Sequence, residues 1–188
     1  MTKKKCEWCI GDSLYEKYHD EEWGVPVFED NKLFEFLILE TFQAGLSWIT
    51  ILRKRENFRA AFNNFDYKKI AAYDQEKVDE LLQNSGIIRN KLKIKATITN
   101  AQAFIAIQKE FGSFSDYIWR FVNGKPIKNK YKNLSEVPAN TPLSDTISKD
   151  LKKRGFKFVG TTVVYAHMQA TGMVNDHVLS CYRHTEVS

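Results

Sequence analysis

A chain of 188 residues that is 43% hydrophobic can bury a core of its own and does not depend on disulfides to hold it. Its formal charge of +5 points to anionic partners, and no uninterrupted apolar run approaches the ~20 residues of a membrane-spanning helix. The opening residues 1–6, Met-Thr-Lys-Lys-Lys-Cys, lack the apolar stretch of a signal peptide, and three cysteines cannot all pair within the chain, so the expectation is a soluble, cytoplasmic protein without membrane association whose thiols stay reduced or bind metal.

No fixed-period repeat, low-complexity tract or Ser/Gly linker interrupts the chain, and a single domain over 1–188 is expected, built as one unit or as two lobes sharing an interface. The N-terminal segment holding Cys6 and His19 reads as looped. Leu33, Leu37, Glu40 and Ala44 recur at helical spacing, Gly45 breaks the segment, and a second helical run covers 48–62. Asp66 and Asp74 are placed to cap short helices over 68–72 and 75–83. Ile94, Ile98, Ala101 and Ile105 form the stripe of a long helix ending near Gly112. The least regular stretch, between Pro126 and Pro142, reads as a surface connection between lobes. Ser144 or Asp145 starts a helix that stops at Gly155, and another covers 161–171 before Gly172. Alternating β patterns are scarce; the best, 157–164, reads equally well as a helix entrance. The fold class is all-α.

Basic residues cluster at Arg53, Lys54 and Arg55, at Arg89, Lys91, Lys93 and Lys95, and at Lys149, Lys152, Lys153, Arg154 and Lys157. Any one such cluster is ordinarily a solvated helix face, and acidic runs at 20–22 and 79–80 balance part of the charge. Residues 82–91 place a Gly-containing turn at Gly86 between two helical patterns. Its backbone N–H groups and the following helix N-terminus form an anion site to which Arg89 and Lys91 add charge, suited to a DNA phosphate. Many helical hairpins use Gly merely as a cap.

Four zinc-capable side chains sit at the two ends of the chain: Cys6 and His19, then His177 and Cys181. The last two are spaced to share one face of a helical turn. A Cys2His2 shell is closed and tetrahedral, which makes a structural staple rather than a catalytic centre. The alternative is that the cysteines are small buried hydrophobes and the histidines ordinary core or surface residues.

Glu40 shares its stripe with Leu33 and Leu37, and an acidic residue on an apolar face is rarely buried without a partner. An Arg or Lys from another helix is the ordinary partner; a ligand is the other. Trp8, Tyr15, Tyr18, Trp23 and Trp48 crowd the same regions. With a carboxylate they have the ingredients of a pocket for a flat cationic ring, although each singly is ordinary core.

Cys6, the run Tyr-Glu-Lys-Tyr-His-Asp-Glu-Glu-Trp-Gly-Val-Pro at 15–26, Gln-Ala-Gly-Leu-Ser-Trp at 43–48, Gly-Ile-Ile-Arg at 86–89, Lys-Lys-Arg-Gly-Phe-Lys-Phe-Val-Gly-Thr-Thr at 152–162, and Val-Asn-Asp-His-Val at 174–178 with Cys181 closely resemble the 3-methyladenine DNA glycosylase I family, in the same order over nearly the whole chain. The resemblance implies an all-α helix-hairpin-helix glycosylase whose termini are joined by one structural zinc on Cys6, His19, His177 and Cys181. It implies that Glu40 recognises the methylated adenine in a pocket lined by Trp8, Tyr15, Tyr18 and Trp48. Leu46 then fills the gap left in the duplex by the extruded base. The expected partner is double-stranded alkylated DNA and the product free 3-methyladenine, released by hydrolysis without strand cleavage. Cys9 departs from the pattern by adding a Cys-x-x-Cys spacing with Cys6, as a competing ligand or an inert thiol. A monomer is the default, since no coiled-coil seam is evident.

Two other readings fit the same residues: a zinc-stapled DNA-binding module without chemistry, and a pocket protein for small cationic purines without DNA affinity.

Overall fold

A computed structural model describes residues 3–187 of the chain. The first helix, α1 (Ser13–Glu21), begins where Asp12 takes the backbone N–H groups of Leu14 and Tyr15 at 3.0 and 3.1 Å, a capping signal inside a segment expected to be looped. His19 therefore projects from a helix, while Cys6 precedes a 3-10 turn, Glu7–Cys9.

The centre of the molecule is α2 (Asp30–Gln43), in which every residue from 33 to 42 is buried. Glu40 thus lies on a helix wrapped on all sides, not on one apolar stripe, as the run Leu-Phe-Glu-Phe-Leu-Ile-Leu-Glu-Thr-Phe dictates. Against α2 pack α3 (Trp48–Ala61), α6 (Lys91–Phe111), α7 (Phe114–Trp119) and α9 (Thr161–Ala170). Two short helices, α4 (Tyr67–Ile70) and α5 (Gln75–Gln83), rest on α6. Asp66 and Asp74 cap them as predicted, accepting from Lys68 and Lys69 and from Lys77.

Helix α8 (Pro142–Lys153) packs on α9 and starts earlier than the Ser144 or Asp145 expected. Thr141 and Ser144 form a reciprocal capping box, and Pro142 occupies the first helical position, where its missing N–H is not needed. The described residues include one β pairing, and it lies away from 157–164: β1 (Ile127–Lys128) runs parallel to β2 (Val174–Asn175), Ile127 opposite Val174. This pairing ties the irregular 126–142 stretch to the C-terminal segment, helped by the Leu179 N–H donating to the Tyr131 carbonyl at 2.8 Å.

The last helix, α10 (Arg183–Glu186), follows a turn rather than extending a helix through His177 and Cys181. The chain ends meet there. The Tyr182 N–H donates to the Lys4 carbonyl at 2.9 Å, and Lys3 pairs with Glu186 at 2.8 Å. No helix among the described residues is long and apolar enough to cross a membrane.

Candidate functional site

A cavity of about 200 Å³ opens where α1, α2, α3 and α9 converge. Trp8 reaches it from the 3-10 turn, Tyr15 and Tyr18 from successive turns of α1, Glu40 and Gln43 from the end of α2, and Trp48 from the start of α3. All five residues expected to form the pocket are brought together. The aromatic rings interlock. Trp8 meets Tyr15 edge-on at 4.7 Å and Trp23 at 5.1 Å, and Tyr18 meets Trp48 at 5.7 Å.

Glu40 is 4% exposed and pairs with no cation among the described residues; its Oε2 is buried without a hydrogen-bond partner. The salt-bridge alternative belongs instead to Glu35, five residues earlier on α2, which accepts from Arg55 Nε and Arg59 Nη2 at 2.7 Å each. With no such neighbour, burial alone raises the Glu40 pKa well above the usual carboxylate range. The Trp48 indole N–H is likewise buried and unpartnered. An acceptor and a donor left open on one aromatic-walled cavity are groups that a polar, flat ligand would satisfy.

The wall also holds Trp23, one of the aromatic residues that the sequence offers for such a pocket, and Gln43, Leu134, Val137, Ala166 and Gln169, which the sequence does not single out. Gln43 lies three residues after Glu40, hence on the same helix face, and could have been found. Ala166 and Gln169 sit on α9, and Leu134 and Val137 on the irregular connection, where no local pattern marks them. The Gln169 amide is oriented by its Nε2 donating to Asp176 at 2.9 Å.

Behind the aromatic wall, Cys6, His19, His177 and Cys181 are all buried, and one ligand atom from each lies within 4.8 Å of the others. Cys181 Sγ is 3.4 Å from His19 Nε2, and both sulfurs are 3.7 Å from His177 Nδ1. The outward nitrogen of each ring is held: His19 Nδ1 by Asp20 Oδ1 at 2.8 Å, His177 Nε2 by the Trp23 carbonyl at 2.9 Å. Those contacts place the proton outward and leave a lone pair facing the cluster, as a metal ligand requires. Of the two sulfurs, the Cys181 thiol is shifted down, first by its hydrogen bond with Cys6, while Cys6 is pushed up by the same contact and by burial. The four side chains could hold a metal ion. Cys9 is outside this group, buried, its Sγ donating to the Cys6 carbonyl at 3.1 Å. Gly24 makes room for the arrangement: its φ is +79°, and a Cβ there would sit 3.1 Å from His177 Nε2.

Leu46 stands 39% exposed on the turn between α2 and α3, where Gly45 adopts φ +83°. Residues 84–90 connect α5 to α6. Within them Gly86 is engaged internally: its N–H donates to Asn84 Oδ1 at 2.8 Å, its carbonyl accepts from Lys54 and Asn57, and a Cβ would meet Asn57 at 3.1 Å. The turn glycine thus lets the connection approach α3, and its own amide is not free for an anion. Arg89 and Lys91 are exposed beside it. The basic clusters are thinner than the sequence suggests. Arg55 is buried against Glu22 and Glu35, Lys93 is buried, and Arg154 is bound to Glu110 and Asp150.

The sequence profile of the family described as methyladenine glycosylase matches residues 8–184. DNA-3-methyladenine glycosylase 1 of Escherichia coli (strain K12) is 53% identical over 178 residues, 95% of this chain and 95% of that protein. A crystal structure of 3-methyladenine DNA glycosylase I matches with a TM-score of 0.93 at 53% identity, covering 95% of this chain and 98% of that one. A variant of 3-methyladenine DNA glycosylase I in complex with 3-methyladenine matches with a TM-score of 0.92 at 35% identity, covering 95% and 96%.

Proposed function

The chain belongs to the methyladenine glycosylase family, and we propose that it is a monofunctional DNA repair glycosylase that extrudes 3-methyladenine from alkylated duplex DNA and releases it by hydrolysis. The observation that carries this reading is Glu40, a carboxylate buried without a partner in an aromatic cavity.

Methylation at N3 gives the adenine ring a positive charge and weakens its N-glycosidic bond. When that bond breaks, its electron pair stays with the ring and the base leaves neutral, so little acid catalysis is needed. The sugar is left as an oxocarbenium-like cation; water adds to its anomeric carbon and gives up a proton. The protein's task is then recognition. Extruding a nucleotide costs a few kcal/mol, less for a damaged base. The cavity accepts the extruded ring between the faces of Trp8, Tyr15, Tyr18 and Trp48, which attract a cation. Glu40 gains most from this ligand: a cationic ring and its N–H groups supply the counter-charge and donors that the empty cavity withholds. Neutral adenine offers less, which gives selectivity. Negative DNA phosphates stabilise the sugar cation; no side chain is assigned to that step.

In this reading residues 1–188 form a single domain that acts as a monomer in the cytoplasm. Leu46 enters the gap in the duplex, while helices α5 and α6 act as a helix-hairpin-helix whose turn, carrying Gly86, is steered to a phosphate by Arg89 and Lys91. Cys6, His19, His177 and Cys181 hold one zinc ion, the metal to which a closed Cys2His2 shell is best suited. Zinc there supplies cross-linking between the chain ends and no open position for chemistry.

The test is chromatography of the bases freed from methylated duplex DNA by the native chain and by Glu40→Gln. Release of 3-methyladenine by the native chain and its loss in the variant are the expected results. Duplex binding with no base released by the native chain would replace this reading with a non-catalytic zinc-stapled DNA-binding module.

A further inference from the structure

One buried cation of α6 has no role in the chemistry above. Lys93 is 6% exposed and sits in the first turn of α6, where Asn90 caps its backbone N–H at 3.1 Å. Its side chain runs beneath the end of α2. There Nζ donates to the carbonyl of Phe42 at 3.0 Å and to that of Ala44 at 3.2 Å. No carboxylate pairs with it among the described residues, and burial alone lowers its pKa.

The last carbonyls of a helix lack partners within the helix, and the negative end of the helix dipole favours a cation there. Water could satisfy the Ala44 carbonyl, because residues 44–47 are all exposed, whereas Phe42 is buried. A charged side chain has been taken out of solvent to reach both, which is costly for an ammonium without a carboxylate partner. What the ammonium adds is a fixed spacing. Among the described residues the turn's other ties are local: a Cβ on Gly45 would touch nothing within 4 Å, the Leu46 N–H donates to the Gln43 carbonyl, and Ser47 bonds to Thr50. Lys93 is the side chain that ties this turn to the helix entered from the 84–90 connection. Glu40 lies two and four residues before the clamped carbonyls of Phe42 and Ala44, and Leu46 four and two residues beyond them.

We propose that Lys93 is a positioning residue for base extrusion, its ammonium clamping the turn that carries Leu46 to the first turn of α6, so that wedge and hairpin meet the duplex at a fixed separation. This rests on the glycosylase reading above. A displacement near 1 Å in such machinery is enough to lower a rate on the order of 100-fold.

The experiment is a double-mutant cycle of Lys93→Met with Leu46→Ala on the full chain, measuring release of 3-methyladenine from methylated duplex DNA, affinity for free 3-methyladenine and melting temperature. Lys93→Met is expected to lower release on the order of 10- to 100-fold while affinity for the free base stays within about twofold. In the Leu46→Ala background the same change is expected to add less than about a twofold loss, because coupled residues do not act additively. Lys93→Arg, which keeps charge and donors, restores most of the release. Should the Met variant not fold, Lys93→Gln carries the same cycle. Losses that multiply, a Leu46→Ala variant with full activity, or a fall in free-base affinity matching the fall in release would each overturn the proposal. A native chain that releases no base removes the glycosylase reading itself; an active native chain with an unimpaired Lys93→Met removes only the role of Lys93.

Discussion

The indole of Trp8 packs edge-on against the imidazole of His19, ring centroids 5.3 Å apart, and touches Tyr15 at 4.7 Å. Trp23 repeats the relationship against His177 at 4.6 Å. The Cys/His cluster and the cavity therefore share a wall, and what loosens one loosens the other.

Removing metal should cost both stability and recognition. Closure of a Cys2His2 site contributes directly to folding, so a chelator is expected to lower the melting temperature by roughly 10 °C or more and to weaken binding of free 3-methyladenine in the same titration. Elemental analysis of protein purified without chelator should give close to one zinc per chain. Base affinity that survives complete metal removal would separate the two sites.

Glu40→Gln should abolish base release, by on the order of 100-fold or more, yet stabilise the folded chain at neutral pH. The sign follows from the raised pKa. Above the ordinary carboxylate range the unfolded chain has lost this proton while the folded chain retains it, so stability falls as pH rises through that window. The variant has no such proton to hold. Melting curves of the two proteins should draw together toward pH 4 and part toward pH 8, each kcal/mol relieved corresponding to roughly 2–4 °C.

Trp48→Phe keeps an aromatic wall but deletes an indole N–H that is buried and unpartnered. Because an unsatisfied buried donor costs about 1–3 kcal/mol, the melting temperature should hold or rise while affinity for free 3-methyladenine falls. A drop in stability without a drop in affinity would show that the N–H does not face the ligand.

Arg89→Ala and Lys91→Ala should weaken duplex binding and leave free-base affinity unchanged. If each side chain neutralises one phosphate, the log–log slope of affinity against salt becomes shallower by about 1 per substitution. Binding isotherms at several salt concentrations read this directly; an unchanged slope would place the DNA elsewhere.

Local order was legible along the chain. The caps at Asp66 and Asp74, the break at Gly45 and the long helix up to Gly112 were read from spacing alone and stand in the structure. The cap that Asp12 supplies to α1 is equally local, but a pair of metal ligands at Cys6 and His19 suits a loop as well as a helix, so the start of α1 does not follow from them. The His177 and Cys181 spacing matched a helical turn that does not form; a tight turn brings the same two side chains together. The strand pairing at Ile127 and Val174 left no alternating pattern, since two residues are too few to show a period.

What the amino-acid sequence determined by itself was the chemistry on offer: the four metal-capable side chains at its ends, the tryptophans and tyrosines, the acidic residues of α2, and the motifs shared with its family. Which groups would be free to use that chemistry was decided by tertiary structure. Glu35 and Glu40 lie on the same buried helix, and nothing local distinguishes them. Arg55 and Arg59 reach the first, and aromatic rings surround the second. Lys93 reads as one more surface lysine until α6 packs under α2. The physical reason is range. Helical periodicity and capping act over three or four residues and are written in adjacent letters, whereas the partner of a buried charge is set by segments distant in the chain that meet only in the folded molecule.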